Sequence, residues 1–158
     1  QLKRGFYWIR QLVEELEIYD SQRDKYPTLE SYVPNLIQFY KKIADEETER
    51  DKKRPKVLSI TEFKNGNEKV SSGITTITIN FDRPLLGEGY SIYTGNKGDE
   101  AFPTTEGVSY SEDKKSVIMR VKLEKNKEYQ FVMKGNHFKS LDGEVAIKDY
   151  EVNFRTEK

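Results

Sequence analysis

The chain has 158 residues, of which 27 are basic and 27 are acidic, and the charges balance in residues 1–54 as well as in residues 55–158. Nucleic-acid-binding proteins usually carry a basic excess, because contacts with phosphates supply much of their affinity, so this class is disfavoured. The absence of cysteine excludes disulfides, thiolate zinc sites and a cysteine nucleophile, and no apolar run approaches the ~20 residues that span a bilayer.

Helical periodicity begins almost at the first residue. Apolar side chains recur at alternating steps of four and three and form one stripe: Leu2, Phe6, Ile9, Val13 and Leu16. Tyr7, Leu12 and Tyr19 widen this stripe. Because the chain starts at Gln1, without an initiator methionine or a signal peptide, we expect it to be a piece of a longer protein.

A polar connection that ends in Pro27 leads into a second predicted helix. Its apolar stripe has the same spacing: Leu29, Val33, Leu36, Tyr40 and Ile43. With Thr28 as the N-cap, Pro34 lies just beyond the first turn and bends the helix. With Ser31 as the N-cap, Pro34 falls inside the first turn; we favour Thr28. The matching stripes predict an αα-hairpin that also docks on another part of the protein, the sandwich predicted below or an upstream domain.

Residues 45–54 contain nine charged residues in ten, with the acidic ones first. This order suits the last turns of a helix, where the macrodipole favours cations. We interpret the segment as a solvated helix end and linker; a docking tail for a charged partner is the alternative. Residues 1–54 are therefore predicted to be a helical hairpin with a charged linker, and residues 55–158 a second domain that begins at Pro55.

From Pro55 onward the apolar period changes from helical to two. The clearest strand is Ile74–Phe81, and three of its side chains are expected to face the core: Ile77, Ile79 and Phe81. Further short strands are predicted at residues 57–61, 90–93, 108–110, 117–121, 129–133 and 149–156. Seven alternating strands without an intervening helix predict a sandwich of two antiparallel sheets.

A polar turn, residues 123–128, leads into Tyr129 and then into alternating apolar residues. This pattern is typical of the tyrosine corner of immunoglobulin-like sandwiches. In that motif the ring packs over the turn, and the hydroxyl bonds to a backbone group a few residues upstream. The sequence therefore predicts an immunoglobulin-like second half.

Residues 55–157 resemble the bacterial Ig-like domain of the surface-layer-protein type. Five segments carry the resemblance: Pro55–Ser59, Ile77–Leu85, Leu123–Tyr129, Phe138–Gly143 and Tyr150–Thr156. The family's Pro-x-x-Gly after the first strand is replaced here by Phe63-Lys-Asn-Gly66, and its usual methionine by Leu85. The resemblance implies an accessory domain without catalytic residues, of the kind found at the C-terminal end of secreted or lipid-anchored bacterial proteins.

Candidate catalytic and metal-binding residues are few. His137 is the only histidine, too few for a zinc site, and the sequence offers it no recognisable triad. Three carboxylate pairs could do acid–base chemistry, but turn formation explains them: Asp99/Glu100, Glu112/Asp113 and Asp142/Glu144. Calcium at Asp82 or Asp142 would lack the usual acidic loop. We therefore expect no catalytic, cofactor-binding or metal-binding residue and no cofactor.

The aromatic residues could pack in the core or form a binding surface. Four residues alternate as core residues should: Tyr90, Ile92, Tyr129 and Phe131. Tyr19, Tyr93 and Tyr110 are the candidates for exposure, and an exposed cluster would indicate an interaction surface.

These observations favour a chain of α+β content, an αα-hairpin followed by an Ig-like sandwich, that serves as a non-enzymatic scaffolding module. Its expected location is extracytoplasmic, in the periplasm or at the cell surface, and its expected partner is an upstream domain of the same protein. The first alternative is a binding module for another surface protein or a glycan. The second is the C-terminal tail of a secreted hydrolase or peptidase whose active site lies upstream. No nucleic-acid partner and no membrane-spanning segment are expected.

Overall fold

The structure is a computed structural model that describes residues 8–158. Three positions of the first predicted stripe, Leu2, Phe6 and Tyr7, lie outside the described residues. The chain divides into two compact units, one that ends at Lys52 and one that runs from Lys53 to Lys158. The first unit contains the helices and the second contains the strands.

The helical unit consists of α1, Ile9–Ser21, and α2, Leu29–Lys53. The two helices contact each other through aromatic rings and hydrogen bonds. The Tyr32 hydroxyl donates to Glu15 Oε1 at 2.8 Å, and the ring centroids of Tyr19 and Tyr32 lie 5.0 Å apart. Further along the pair, Gln11 Nε2 donates to Glu46 Oε2 at 3.0 Å.

Helix α2 begins where the Thr28 cap predicted. The backbone N–H of Ser31 donates to Thr28 Oγ1 at 3.3 Å, and the N–H of Thr28 donates to Ser31 Oγ at 3.4 Å. These reciprocal bonds satisfy donors of the first turn that have no partner within the helix. Pro34 lies inside α2, and the charged segment 45–53 is helical up to Lys53.

Most described positions of the two predicted stripes are not buried between α1 and α2. Five of these positions are 38–50% exposed: Val13, Leu16, Leu29, Val33 and Tyr40. On α2 the buried residues are Ile43, which belongs to the predicted stripe, and Tyr32 and Phe39, which do not. The apolar arc of α2 is wider than one stripe, and periodicity does not reveal which part of a wide arc faces the partner helix. An edge-to-face contact between the Tyr26 and Tyr32 rings, with centroids 5.0 Å apart, helps to select the Tyr32 side.

The second unit is a sandwich of two antiparallel sheets. Its strands are β1 Val57–Ile60, β2 Thr76–Phe81, β3 Ile92–Thr94, β4 Thr104–Tyr110, β5 Ser116–Lys122, β6 Glu128–Met133 and β7 Tyr150–Arg155. The first sheet has the order β1-β2-β5-β4 and the second the order β3-β6-β7. This is the strand order of a constant-type immunoglobulin domain, and the immunoglobulin-like sandwich of seven strands that the sequence predicts is confirmed.

Alternating side chains of both sheets fill the space between the layers. On β2 the predicted inward residues Ile77, Ile79 and Phe81 are at most 3% exposed. They pack with buried residues of the other strands: Val117, Met119, Val121, Tyr129, Phe131, Met133, Val152 and Phe154. Burial of this continuous apolar layer is the main favourable term for the sandwich.

Two strand predictions need correction. β4 begins at Thr104 rather than at Val108, because its first half lacks apolar alternation and contains a register shift between Thr105 and Gly107. Tyr90 was expected in the core but is 53% exposed. The segment before it has glycines at positive φ, so the chain becomes extended only at Ile92, and the two-residue period does not reach Tyr90.

The tyrosine corner is confirmed. Tyr129 is 1% exposed, and its hydroxyl accepts the backbone N–H of Glu124 at 2.7 Å. Its ring stacks on Phe154 with a centroid distance of 5.2 Å. The corner therefore joins the turn before β6 to the core beneath it.

Candidate interaction surface

One edge of the sandwich is covered by the chain itself. On the outer edge of β7, the carbonyl oxygen of Asn153 accepts the N–H of Gly66 at 2.7 Å. The carbonyl oxygen of Arg155 accepts the N–H of Val70 at 2.9 Å. The side-chain amide of Asn65 adds two bonds, to the carbonyl of Glu151 and from the N–H of Asn153, each 2.8 Å long. Residues 65–70 therefore pair this edge as an additional strand would.

The outer edge of β4 has no such cover. The N–H of Ser111 donates to the carbonyl oxygen of Ser116 at 2.9 Å, so these two residues form a hydrogen-bonded pair of the ladder between β4 and β5. From this pair, the register shows which residues of β4 bond to β5 and which do not. Gly107 and Ser109 direct their backbone groups toward β5, so those of Val108 and Tyr110 point away from the sheet. Within residues 8–158, no hydrogen bond to these outward groups is found.

A groove of about 350 Å³ adjoins β4. One side of this groove is formed by Tyr90, Ile92 and Phe102, the other by Thr105 and Val108, and Met119 also contributes to its lining. Met119 is fully buried, so the groove extends inward to the core. We call this feature, together with the outer edge of β4, the β4 groove.

The charge in the β4 groove is compensated. Glu106 lines the groove, and its carboxylate lies 2.6 Å from Lys122 Nζ. The hydrogen bond between them lowers the pKa of the Glu106 carboxyl and raises the pKa of the Lys122 ammonium. Both side chains are exposed, so this pair adds little to stability.

Tyr110 joins the end of β4 to the segment before β3. Its hydroxyl donates to the carbonyl oxygen of Gly89 at 2.7 Å. Partial burial raises the pKa of the Tyr110 phenol to about 12. The phenol is therefore neutral at physiological pH and acts as a hydrogen-bond donor.

His137 lies in an exposed turn, as predicted, but it has a partner that the sequence did not reveal. Ser91 Oγ lies 2.5 Å from His137 Nδ1. Ser91 is only 2% exposed, so a substrate has no direct access to its hydroxyl. A serine nucleophile needs such access as well as a base. The pair is therefore best explained as a structural bond between the segment before β3 and the turn after β6.

The first carboxylate pair lies in a short 3-10 helix, Asp99–Ala101, and the other two lie in turns; one member of each pair is engaged locally. Asp99 accepts the Thr94 hydroxyl at 2.9 Å. Asp113 and Asp142 each accept a serine hydroxyl and a backbone N–H close in sequence, and these bonds lower the pKa of both carboxyls. Asp82 Oδ1 accepts the N–H of Lys56, while its other oxygen binds Arg83. Among residues 8–158 no cluster of three or more potential metal ligands occurs.

The three tyrosines that were candidates for exposure, all within the described part of the chain, do not form an exposed cluster. Tyr93 is 52% exposed, Tyr110 is partly buried, and Tyr19 is buried at 6%. Tyr129 and Phe131 are core residues, as predicted. Of these residues, Tyr90 alone combines exposure with a place in the β4 groove, and sequence alternation had placed it in the core.

The sandwich and its corner define the class to which the chain belongs. A sequence profile described as bacterial Ig-like domain matches residues 51–156, well over half of the chain. The chain therefore belongs to the bacterial Ig-like domain family, which confirms the resemblance. No curated protein matches the chain significantly.

Three solved S-layer structures are similar to the chain. Domains 1–6 of the surface layer protein SbsC share 21% identity, with a TM-score of 0.43 and coverage of 66% of this chain and 14% of that one. The S-layer protein rSbsC(31–844) shares 19% identity, with a TM-score of 0.42 and coverage of 94% of this chain and 24% of that one. The N-terminal part of the bacterial S-layer protein SbsC shares 18% identity, with a TM-score of 0.39 and coverage of 87% of this chain and 36% of that one. The chain thus spans between 14% and 36% of the length of these three structures.

Neither of the two helices described combines the length and apolar composition needed to cross a bilayer.

Proposed function

We propose that the chain is a non-catalytic accessory module of an extracytoplasmic bacterial protein. In this role the sandwich acts as a spacer that sets distance and orientation, and its loops and edges provide contacts. The observation that carries the proposal is the filling of the sandwich: the side chains between the sheets are apolar and buried, as for Ile77, Met119 and Phe131. The membership of the chain in the bacterial Ig-like family supports the same role.

We further propose that residues 1–54 are the end of an upstream domain with a charged linker, and that residues 55–158 are the Ig-like domain. The exposed apolar residues of the helices support this division. Val13, Leu16, Leu29 and Val33 are each 38–50% exposed, which is unusual for neighbouring residues of a complete helical domain. A partner within the same protein would bury them.

The location is tested with the full-length protein in its own bacterium. Intact cells, cells with a permeabilised envelope and lysed cells are treated with a protease, and residues 55–158 are detected with an antibody. Cleavage or release before lysis is the expected result. Recovery of the domain intact until lysis, together with a cytosolic marker, would contradict an extracytoplasmic location.

A binding module for another surface protein or a glycan is the second candidate, and the β4 groove favours it. Tyr90 offers an exposed ring beside polar groups of Thr105 and Glu106, and aromatic rings combine apolar contact with a polar tip. A glycan array probed with the chain tests this candidate. Binding that is lost in Tyr90→Ala but kept in Tyr93→Ala supports it, because Tyr93 is equally exposed and does not line the groove.

A further inference from the structure

The edge strands of the sandwich differ in length, in regularity and in whether another segment of the chain covers them. The edge of β7 is paired by residues 65–70. β1 has four residues and a register shift between Val57 and Ser59, and β3 has three residues. β4 has seven residues. Natural sheets usually shorten, bend or cover an edge, since an open edge is a template for another strand. By this comparison, β4 is the longest edge that the described chain leaves open.

The free groups of β4 have the spacing of a strand-binding edge. Val108 and Tyr110 each direct one donor and one acceptor outward, and they are separated by one residue. A second strand in antiparallel pairing can exchange two hydrogen bonds with each of them. The side chains of both residues pack against the core, which holds the backbone of β4 in place. This half of β4 lies beyond the register shift between Thr105 and Gly107 and is regular.

The groove beside the edge determines what an added strand can carry. Side chains of a strand alternate between its two faces, so every second residue of the added strand would enter the groove over Met119. Polar and apolar atoms contribute about equally to the lining; the apolar part comes from Ile92, Phe102, Val108 and Met119, and the one carboxylate, Glu106, is paired with Lys122. A strand with uncharged apolar side chains at alternate positions is complementary to this environment.

We propose that the β4 groove binds an extended peptide segment of another protein, which adds to the first sheet as a fifth strand next to β4. This mode, in which backbone bonds give affinity and pockets for alternate side chains give specificity, is an established route of peptide recognition. The proposal goes beyond the spacer role, which would stand unchanged if the edge bound nothing.

A second copy of the chain is the less suitable occupant. Antiparallel pairing of two β4 strands about Ser109 would place Val108 opposite Tyr110 of the other copy. The same register sets the irregular part of β4, Thr105–Gly107, against residues of the other copy that follow Tyr110, where β4 has ended, so the paired ladder would not extend beyond Val108 and Tyr110. A heterologous segment is free of this restriction.

The first test measures backbone amide exchange of the free chain by NMR. The amides of Val108 and Tyr110 should exchange much faster than those of Gly107 and Ser109, which face β5. Equal protection of all four amides would mean that the edge is already occupied, and it would overturn the proposal.

The second test uses a phage-displayed library of random linear peptides, each longer than β4, selected on the whole chain. Counter-selection uses Val108→Pro, which removes an outward N–H without removing a bond to β5. Val108→Ala is the matched control, because it shortens the side chain and keeps the N–H. Enriched peptides should alternate apolar residues and protect the Val108 and Tyr110 amides. Their binding should weaken about tenfold or more in Val108→Pro relative to Val108→Ala, as the loss of one or two hydrogen bonds implies.

Thermal unfolding of both variants shows whether each is folded, and amide protection by the peptide in the unmodified chain does not depend on either variant. Failure to enrich any peptide over the counter-selection would overturn the proposal. Peptides that bind without protecting the two amides would overturn it as well, and so would a groove that binds glycans and no peptide.

Discussion

Tyr129 links sequence and fold at the scale of a single residue. The ring alone would be an ordinary core side chain, stacked on Phe154 and 1% exposed. The hydroxyl adds a bond from the N–H of Glu124, at the start of a turn in which Asn126 takes a positive φ of 51°. This bond gives the N–H of Glu124 a partner within the chain and holds the backbone at the start of the turn, so the hydroxyl stabilises this turn more than its small area suggests.

Tyr129→Phe keeps the ring and removes the hydroxyl. We expect the free energy of unfolding to fall by about 1 kcal/mol or somewhat more, because the N–H of Glu124 loses its partner. Denaturant unfolding measures this change. Tyr93→Phe is the control, since Tyr93 is 52% exposed and should give no change. Equal stability of the two variants would show that the corner bond contributes nothing.

The phenol of Tyr110 should make the stability of the folded chain depend on pH. Its pKa is raised by burial from 10.0 to about 12, so the folded chain favours the neutral phenol. The stabilisation is therefore fully present below pH 10 and is lost as the pH rises from about 10 to about 12. The difference in tyrosinate absorbance between the unmodified chain and Tyr110→Phe should titrate near the upper value. A midpoint near that of a free tyrosine would contradict the burial of this phenol.

At the scale of elements, the sequence predicts best where one face is buried along a whole strand. β2 and β6 were predicted within two residues, because a side chain period of two is visible whenever one face is apolar. Only the last three residues of β4 were predicted, because Thr104–Gly107 has no alternation of apolar residues. The position of that segment depends on its pairing with β5. This pairing includes a register shift between Thr105 and Gly107, which the local pattern of apolar residues does not reveal.

The β4 groove, too, could not be predicted from the local sequence pattern. The alternation of apolar residues around β3 predicts that Tyr90 lies in the core, but the segment before β3 contains Gly87 and Gly89 at positive φ, so the alternation does not extend to Tyr90. The cover on β7 was also hidden. It depends on Asn65, whose side-chain amide supplies one donor and one acceptor, as a backbone peptide group would. These groups bond to Glu151 and Asn153, more than eighty residues away in the sequence.

Asn65→Ala tests this cover. The N–H of Asn153 and the carbonyl of Glu151 would each lose a bond of 2.8 Å, so the sandwich should be destabilised by about 1–3 kcal/mol. Unfolding in urea measures the loss. Asn96→Ala, an exposed loop change, should leave the midpoint unchanged. If both variants unfold at the same urea concentration, residues 65–70 do not stabilise the edge.

At the scale of the whole molecule, the two units differ in how much apolar surface they bury. The helices contain four buried residues, Tyr19, Tyr32, Phe39 and Ile43, whereas the sandwich core contains seventeen. Small helical units with little buried surface are marginal by themselves, because packing supplies most helical stability. The sandwich, in contrast, has a continuous core and paired strands within residues 53–158.

We therefore expect a chain that starts at Lys53 to fold without the helices. It should unfold in one cooperative transition at the denaturant concentration at which the sandwich unfolds in the full chain, and Tyr129→Phe should have the same effect in both. A chain that starts at Lys56 is the matched comparison, because it lacks Arg54, whose guanidinium donates to the Ala146 carbonyl at 2.5 Å. This shorter chain should be less stable by about 1–3 kcal/mol, since the bond involves a charged donor. A chain from Lys53 that fails to fold would show that the helices belong to the folding unit, and the proposed division at residues 54 and 55 would then be wrong.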